Sequence, residues 1–122
     1  MTSEEAVRYL ANIYLILSSD GEVEREEKRL FEDIAREIRA GYSEQRKAAE
    51  LAESQEVQTN VAARWSVRIG NLEDMIFAAY SNGVLEPSEK QAIVEYARHL
   101  EIDQQQLNLM KIEAKQRQEE AR

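Results

Sequence analysis

The fold of this chain is decided by one stretch of sequence that occurs twice: SDGEVEREEKRLFEDIAREI at residues 19–38 and SNGVLEPSEKQAIVEYARHL at residues 81–100. The two copies align without gaps at an offset of 62 residues, and seven of the twenty aligned positions are identical. In each copy a glycine turn precedes a segment whose apolar residues recur at three- and four-residue steps, as on one face of a helix. The repeat predicts two copies of one helical unit that pack their apolar faces together.

Helices are also predicted immediately before each copy. Apolar residues recur at helical spacing over residues 3–17, and again over residues 72–80. Gly70 and Asn71 are expected to interrupt the chain before the second of these helices, with Asn71 as its N-cap. Gly41 is expected to end the helix of the first copy. Each copy would form a hairpin with the helix before it, and a pseudo-twofold axis would relate the two hairpins.

The middle and the end of the chain add further helices. A polar helix is predicted from Ser43 to about Glu56, and apolar residues then recur at four-residue spacing from Val57 to Ile69. This pattern leaves open whether the region is one bent helix or two. A last helix is predicted from Asp103, and residues 116–122 are expected to form a frayed polar tail.

The same spacing predicts which large side chains are buried. We expect a core that includes Phe31, Ile34, Ile93 and Tyr96, because they lie on the apolar faces of the repeated helices. Three further aromatic residues are at core spacing and two are expected at the surface. The first set is Tyr14, Trp65 and Tyr80, and the second is Tyr9 and Tyr42.

Composition supports a single domain over residues 1–122. The chain has 43% hydrophobic and 33% charged residues, which is typical of a globular protein. One proline and four glycines are too few to punctuate the many short strands of a β-sandwich or barrel. We therefore predict an all-α fold: a small helical bundle of two pseudo-twofold-related helical hairpins, together with bridging and C-terminal helices.

Charge and motif content restrict the function. The net charge of −8 repels phosphate backbones, so we expect no nucleic acid partner, and a cation or a basic protein partner suits the surface better. The longest apolar run, Ile13 to Leu17, is far too short to span a membrane. The N-terminus lacks the pattern of a signal peptide, so we expect a cytoplasmic protein. With no cysteine and the single histidine His99, no nucleophile–base pair can be assembled, and we expect no enzymatic activity.

The first glycine turn carries a cluster of carboxylates that could hold a cation. It resembles half of a calcium loop, but the position of the opening ligand is Ile16, which excludes the usual EF-hand geometry. The second copy has Ala78 at the same place. A weaker and more hydrated site for Ca²⁺ or Mg²⁺ stays open at the first turn. Its candidate ligands are Asp20, Glu22, Glu24 and Glu27.

Helix capping explains the same residues without a metal. Glutamates in a first helical turn interact favourably with free amides and with the helix dipole. Glu24 also precedes Lys28 by four residues, and Glu86 precedes Lys90 in the same way, which is the favourable order for an ion pair on a helix. The sequence alone therefore leaves capping and cation binding as two interpretations of one cluster.

The two turns and their surroundings resemble those of a known family. LILSSDGEV at residues 15–23 with Glu26 and Glu27, and FAAYSNGVL at residues 77–85 with Ser88-Glu89-Lys90, are similar to the TerB-like tellurite-resistance family. The resemblance spans nearly the whole chain. It implies an all-helical bacterial domain with two related halves, a part in tellurite or chemical-stress response, and acidic loop residues that hold a divalent metal.

Two functional hypotheses follow. The first is a non-enzymatic TerB-like module that binds a cation or a protein partner in a stress-related system. The alternative is a metal-free helical adaptor whose acidic turns serve only as helix caps. The sequence does not identify the partner or the oligomeric state.

Overall fold

A computed structural model describes residues 1–19, 21–81 and 85–120, and six α-helices lie within them. No strand occurs in these ranges, so the all-α prediction is confirmed. None of the described helices is long and apolar enough to cross a bilayer. The helices are α1 (Ser3–Leu17), α2 (Arg25–Glu37), α3 (Tyr42–Ala52), α4 (Trp65–Ala79), α5 (Pro87–His99) and α6 (Gln104–Glu120).

The internal repeat covers three helices in each half. Each helix of the second half begins 62 residues after its counterpart, so that α4, α5 and α6 correspond to α1, α2 and α3. The first two pairs of helices also have equal lengths, whereas α6 has 17 residues and α3 has 11. The sequence repeat over residues 19–38 and 81–100 is therefore the most similar part of a longer structural duplication.

Side-chain contacts between α1 and α4 are reciprocal. The Tyr9 hydroxyl donates a hydrogen bond to Asp74, and the Asn12 amide donates one to the side-chain oxygen of Asn71. The offset of 62 residues maps Tyr9 onto Asn71 and Asn12 onto Asp74. Contacts that exchange in this way are the mark of a twofold relation between two units. They support the predicted pseudo-twofold axis and place it between α1 and α4.

The helices α2 and α5 end in the same motif. Arg39 and Glu101 adopt left-handed conformations, with φ of 60° and 58°. The next residue in each half, Ala40 or Ile102, donates its amide to the carbonyl five residues earlier, which is the main bond of a Schellman motif. Gly41 was expected to end the first of these helices, but it is instead the N-cap of α3.

The start of α4 differs from the prediction. Gly70 and Asn71 do not interrupt the chain; they lie inside a helix that begins at Trp65. A Cβ atom at Gly70 would lie 3.6 Å from the Tyr9 hydroxyl, an ordinary van der Waals distance, so α4 lies against α1 at this point without requiring glycine. Asn71 is fully buried and donates its side-chain amide to the Tyr9 carbonyl. Tertiary contacts across the helix pair thus replace the predicted N-cap.

The middle region is one short helix followed by an irregular segment. After α3 ends at Ala52, residues 53–64 are not helical, and Val61 and Ala62 within them are buried. Trp65 was predicted to be a core residue, but it is the first residue of α4 and 52% exposed. The four-residue spacing that predicted its burial does not correspond to a continuous helix.

The predicted core residues from the repeat are buried. Phe31, Ile34, Ile93 and Tyr96 are each at most 5% exposed, which confirms that prediction. Tyr9 was expected at the surface and is instead 5% exposed, because its ring packs in the core while its hydroxyl reaches Asp74. Tyr42 is exposed as expected, whereas Tyr14 and Tyr80, expected in the core, are half-buried.

The C-terminal helix continues further than the sequence suggested. Residues 116–120 are helical where we expected a frayed tail, and residues 121 and 122 lie outside the described part of the chain. Arg117 forms an ion pair with Asp74 at 3.1 Å, and its guanidinium lies over the Phe77 ring. Gln118 donates a hydrogen bond to the Phe77 carbonyl. These contacts hold the last turns of α6 against α4.

Candidate functional site

The acidic turn after α1 contains the residues predicted to bind a cation. Gly21 has a φ of 99°, a conformation that glycine adopts without strain. Glu22 and Glu24 flank the turn and are exposed. Asp20, the central candidate ligand, lies outside the described residues. Of the other three candidates, Glu22 and Glu24 precede α2, and Glu27 lies in its first turn.

Glu27 takes part in capping α2. Its carboxylate accepts the backbone amide of Glu24 at 3.0 Å, which satisfies one of the free donors at the N-terminus of the helix. In the second half, Glu89 accepts the backbone amide of Glu86 at 2.8 Å. The capping interpretation is therefore realised in both halves, on equivalent residues.

The described part of the chain holds no group of three or more acidic, histidine or cysteine side chains that are placed to bind one metal ion. The three described candidates therefore do not form a metal site by themselves. Among the described carboxylates of the turn, Glu27 caps α2, and Glu22 lines a groove beside it.

The first part of this groove separates α2 from α3. It is a cavity of about 800 Å³ with an apolar floor that includes Tyr14, Val23 and Phe31. The rings of Tyr14 and Phe31 meet edge to face, with centroids 5.3 Å apart, which fixes the floor. Tyr42, at the start of α3, is 79% exposed and forms part of the rim. We call this cavity the α2–α3 groove.

The second part lies between the end of α3 and the start of α5. It is a cavity of about 610 Å³, and we call it the α3–α5 pocket. Its lining includes Ala52 at the end of α3 and Glu53 directly after it, and Glu89 and Glu95 from α5. Tyr14, Gly21, Val23 and Ala49 line both cavities, so the two parts are continuous. We refer to the pair as the interhelical groove.

A buried polar cluster lies beside the pseudo-twofold axis. The Tyr9 hydroxyl donates to one carboxylate oxygen of Asp74, and Arg117 donates to the other. Burial of the Tyr9 ring, together with the nearby Asp74 carboxylate, raises the pKa of Tyr9 well above its usual range. The cluster therefore holds a neutral tyrosine against a carboxylate and links α1, α4 and α6.

Tyr96 is a second buried tyrosine, and its surroundings differ. Its side chain is fully buried, and its hydroxyl has no hydrogen-bond partner among the described residues. Burial raises the pKa of Tyr96, although the positive charge of Arg68 acts in the opposite direction. Its counterpart in the first half is Ile34, so the hydroxyl is an addition to an apolar position.

Sequence reasoning found the acidic turn but missed the interhelical groove and the polar cluster. Extending the offset of 62 residues backwards would have aligned residues 3–17 with 65–79, and it would have placed Asn71 opposite Tyr9 inside a helix. The groove has no comparable signal, because its shape depends on the angle between α2 and α3.

Comparison with known proteins gives this chain no relative. No protein-family model, no curated protein and no solved structure matches it.

Proposed function

We propose that this chain is a non-enzymatic helical adaptor that binds a segment of a partner protein in the interhelical groove. The observation that carries the proposal is the groove itself, with the Tyr14–Phe31 pair as its floor and exposed Tyr42 on its rim. Aromatic residues at the base of a groove are common anchors for protein partners, because they bury a large area at little entropic cost.

The acidic turn supports the metal-free form of this hypothesis. Glu27 caps α2, and Glu89 caps α5 in the same way, so both turns have a structural role that needs no cation. Among the described residues, no histidine lines either part of the groove, and no lysine lines the α3–α5 pocket. The pocket thus lacks a general acid or base of these types beside its carboxylates, which supports binding rather than catalysis. The resemblance to the TerB-like family adds the expectation that the partner acts in tellurite or chemical-stress response.

Peptide selection on the full chain tests the adaptor hypothesis. Twelve-residue peptides from a random display library would be selected, synthesised and titrated into isotope-labelled protein. Amide resonances around Tyr14, Val23 and Phe31 should shift. Ala49→Trp, which fills the junction of the two cavities, should weaken binding at least about tenfold, since bulk there excludes the ligand.

The matched control is Glu50→Trp, the same substitution one residue further along α3, at an exposed position outside both cavities. It should bind the peptides as the unmodified chain does. Peptides that shift resonances on another face, or that bind the Ala49→Trp variant with full affinity, would contradict the adaptor hypothesis.

The cation hypothesis stays a prediction, and exposed Glu22 and Glu24 beside the turn are what favours it. Calcium or magnesium would be titrated calorimetrically into chelator-treated protein. The cation-binding module would be established by weak binding that is lost in the Asp20→Ala variant and kept in the Glu26→Ala control. If no heat of binding is measured at millimolar cation, the cation hypothesis is wrong and the metal-free adaptor is favoured.

A further inference from the structure

The two ends of the interhelical groove differ in charge. Glu53 and Glu95 are exposed at the α3–α5 pocket, where they join the buried carboxylate of Glu89. Among the described residues that line this pocket, none is lysine or arginine. The α2–α3 groove has a mixed rim in which bases outnumber acids: Lys28, Arg36 and Arg46 against Glu22 and Glu32.

Helix ends add to the negative charge of the α3–α5 pocket. Ser18 and Ser19 line it where α1 ends, and Ala52 and Glu53 line it where α3 ends. The last carbonyl groups of a helix carry partial negative charge and accept hydrogen bonds from lysine and arginine. The start of α5 has the opposite polarity, but its free amides are partly satisfied by the Glu89 cap.

We propose, building on the adaptor function above, that the interhelical groove binds its partner segment in one direction. A lysine or arginine side chain of the segment occupies the α3–α5 pocket, and neighbouring apolar side chains pack on Tyr14 and Phe31. The occupant is a segment of another protein with a basic residue next to an apolar patch.

Charge complementarity sets the direction. Burial against the aromatic floor favours binding in either orientation, because apolar contact has no polarity. A reversed segment would place its cation at the rim where three bases outnumber Glu22 and Glu32, and it would leave the carboxylates of Glu53 and Glu95 without a countercharge. Like charges that face each other across an interface disfavour the wrong arrangement and thereby give specificity.

The selected peptides test this directly. They should carry lysine or arginine at one end of an apolar patch, and a spin label at that end should broaden resonances near Glu53 rather than near Arg46. Replacing both exposed acids, Glu53→Gln with Glu95→Gln, should weaken binding about tenfold, with the loss largest at low salt because exposed charges are screened.

Matched controls are Glu50→Gln with Glu56→Gln, two exposed acids that line neither cavity. They remove the same net charge and should leave the affinity within about twofold. If the peptides lack basic residues, or if Glu53→Gln with Glu95→Gln binds them normally while Ala49→Trp still does not, the directional inference is wrong and the adaptor function stands.

If Ala49→Trp also binds normally, the adaptor function itself fails. Analytical ultracentrifugation of the chain alone tests whether a second copy of the chain occupies the groove. If the chain forms concentration-dependent dimers, and if the double variant Glu53→Gln with Glu95→Gln is monomeric, the assignment to a segment of another protein is wrong.

Discussion

The half from α1 to α3 and the half from α4 to α6 place corresponding helices around one axis, but they complete their polar contacts differently. In the first half, Asn12 exchanges two hydrogen bonds with the backbone of Gln58, in the irregular segment after α3. In the second half, Asp74 at the equivalent position pairs with Arg117 on the longer α6. The helix arrangement is duplicated, but the equivalent residues Asn12 and Asp74 bond to different segments: Asn12 to the irregular segment after α3, and Asp74 to α6.

The surfaces of the halves differ as well. Tyr14 is half-buried and lines the interhelical groove, whereas its counterpart Ile76 is fully buried. At this position the first half therefore lines the groove, whereas the second half contributes to the core. A duplicated fold can in this way keep a common helix frame while equivalent positions in the two copies serve different surroundings.

The largest expected effect concerns the shared core. Phe31→Ala and Ile93→Ala remove equivalent buried side chains and should lower the free energy of unfolding by about 3–5 and 2–5 kcal/mol. Urea denaturation measures both. A loss under about 1 kcal/mol for either variant would show that the corresponding half contributes little to the common core.

The polar contacts at the axis give the next comparison. Asp74→Ala leaves the buried Tyr9 hydroxyl without its acceptor and should cost about 1–3 kcal/mol of stability. Asn12→Ala should cost a similar amount, because it leaves the Gln58 backbone without its partner. Arg117→Ala is the control: its side chain is 44% exposed, so its loss should cost less than about 1 kcal/mol. Equal losses for Asp74→Ala and Arg117→Ala would place the stabilisation in the ion pair.

The two buried tyrosines, Tyr9 in the first half and Tyr96 in the second, should both lower the stability of the fold at high pH. Both have a pKa in the folded state above the value of about 10 in the unfolded chain. Their contribution to stability is therefore complete below pH 10 and is lost as the pH rises further, by about 1.4 kcal/mol per pH unit for each tyrosine. Chemical denaturation at pH 7 to 11 measures this slope.

Conservative variants assign the slope to each tyrosine. Tyr9→Phe and Tyr96→Phe should each remove about half of it. At neutral pH they should differ: Tyr9→Phe loses a hydrogen bond worth about 1 kcal/mol, whereas Tyr96→Phe should be neutral or stabilising because its hydroxyl has no partner among the described residues. Equal destabilisation by both variants would show that Tyr96 makes a contact of similar value.

The smallest expected effect concerns the helix caps. Glu27→Ala should cost about 0.5–1 kcal/mol, since it frees the Glu24 amide at an accessible helix end. Glu89→Ala should cost more, because that side chain is only 5% exposed and lies against the core. Thermal unfolding measures both. A larger loss for Glu27→Ala would show that the acidic turn has a role beyond capping.

Local patterns predicted the parts of this molecule that depend on local energetics. The periodicity of the repeat gave the helices that became α2 and α5 and the burial of Phe31 and Ile93. It gave the wrong boundary at Asn71, because an asparagine there favours a cap locally but finds its partners on α1. The candidate turn was visible in the sequence, whereas the groove beside it depends on how far α2 stands from α3.

The reciprocal contacts between α1 and α4 also fix the register of the two helices. A slip by one turn would move the helices about 5.4 Å along each other. An aliphatic interface could repack after such a slip, but here the hydrogen bonds of Tyr9 to Asp74 and of Asn12 to Asn71 would both break. At about 1–3 kcal/mol for each unsatisfied group, the penalty for the shifted arrangement would be a large fraction of the net stability of a typical domain. The polar residues at the axis thus favour a single register between α1 and α4.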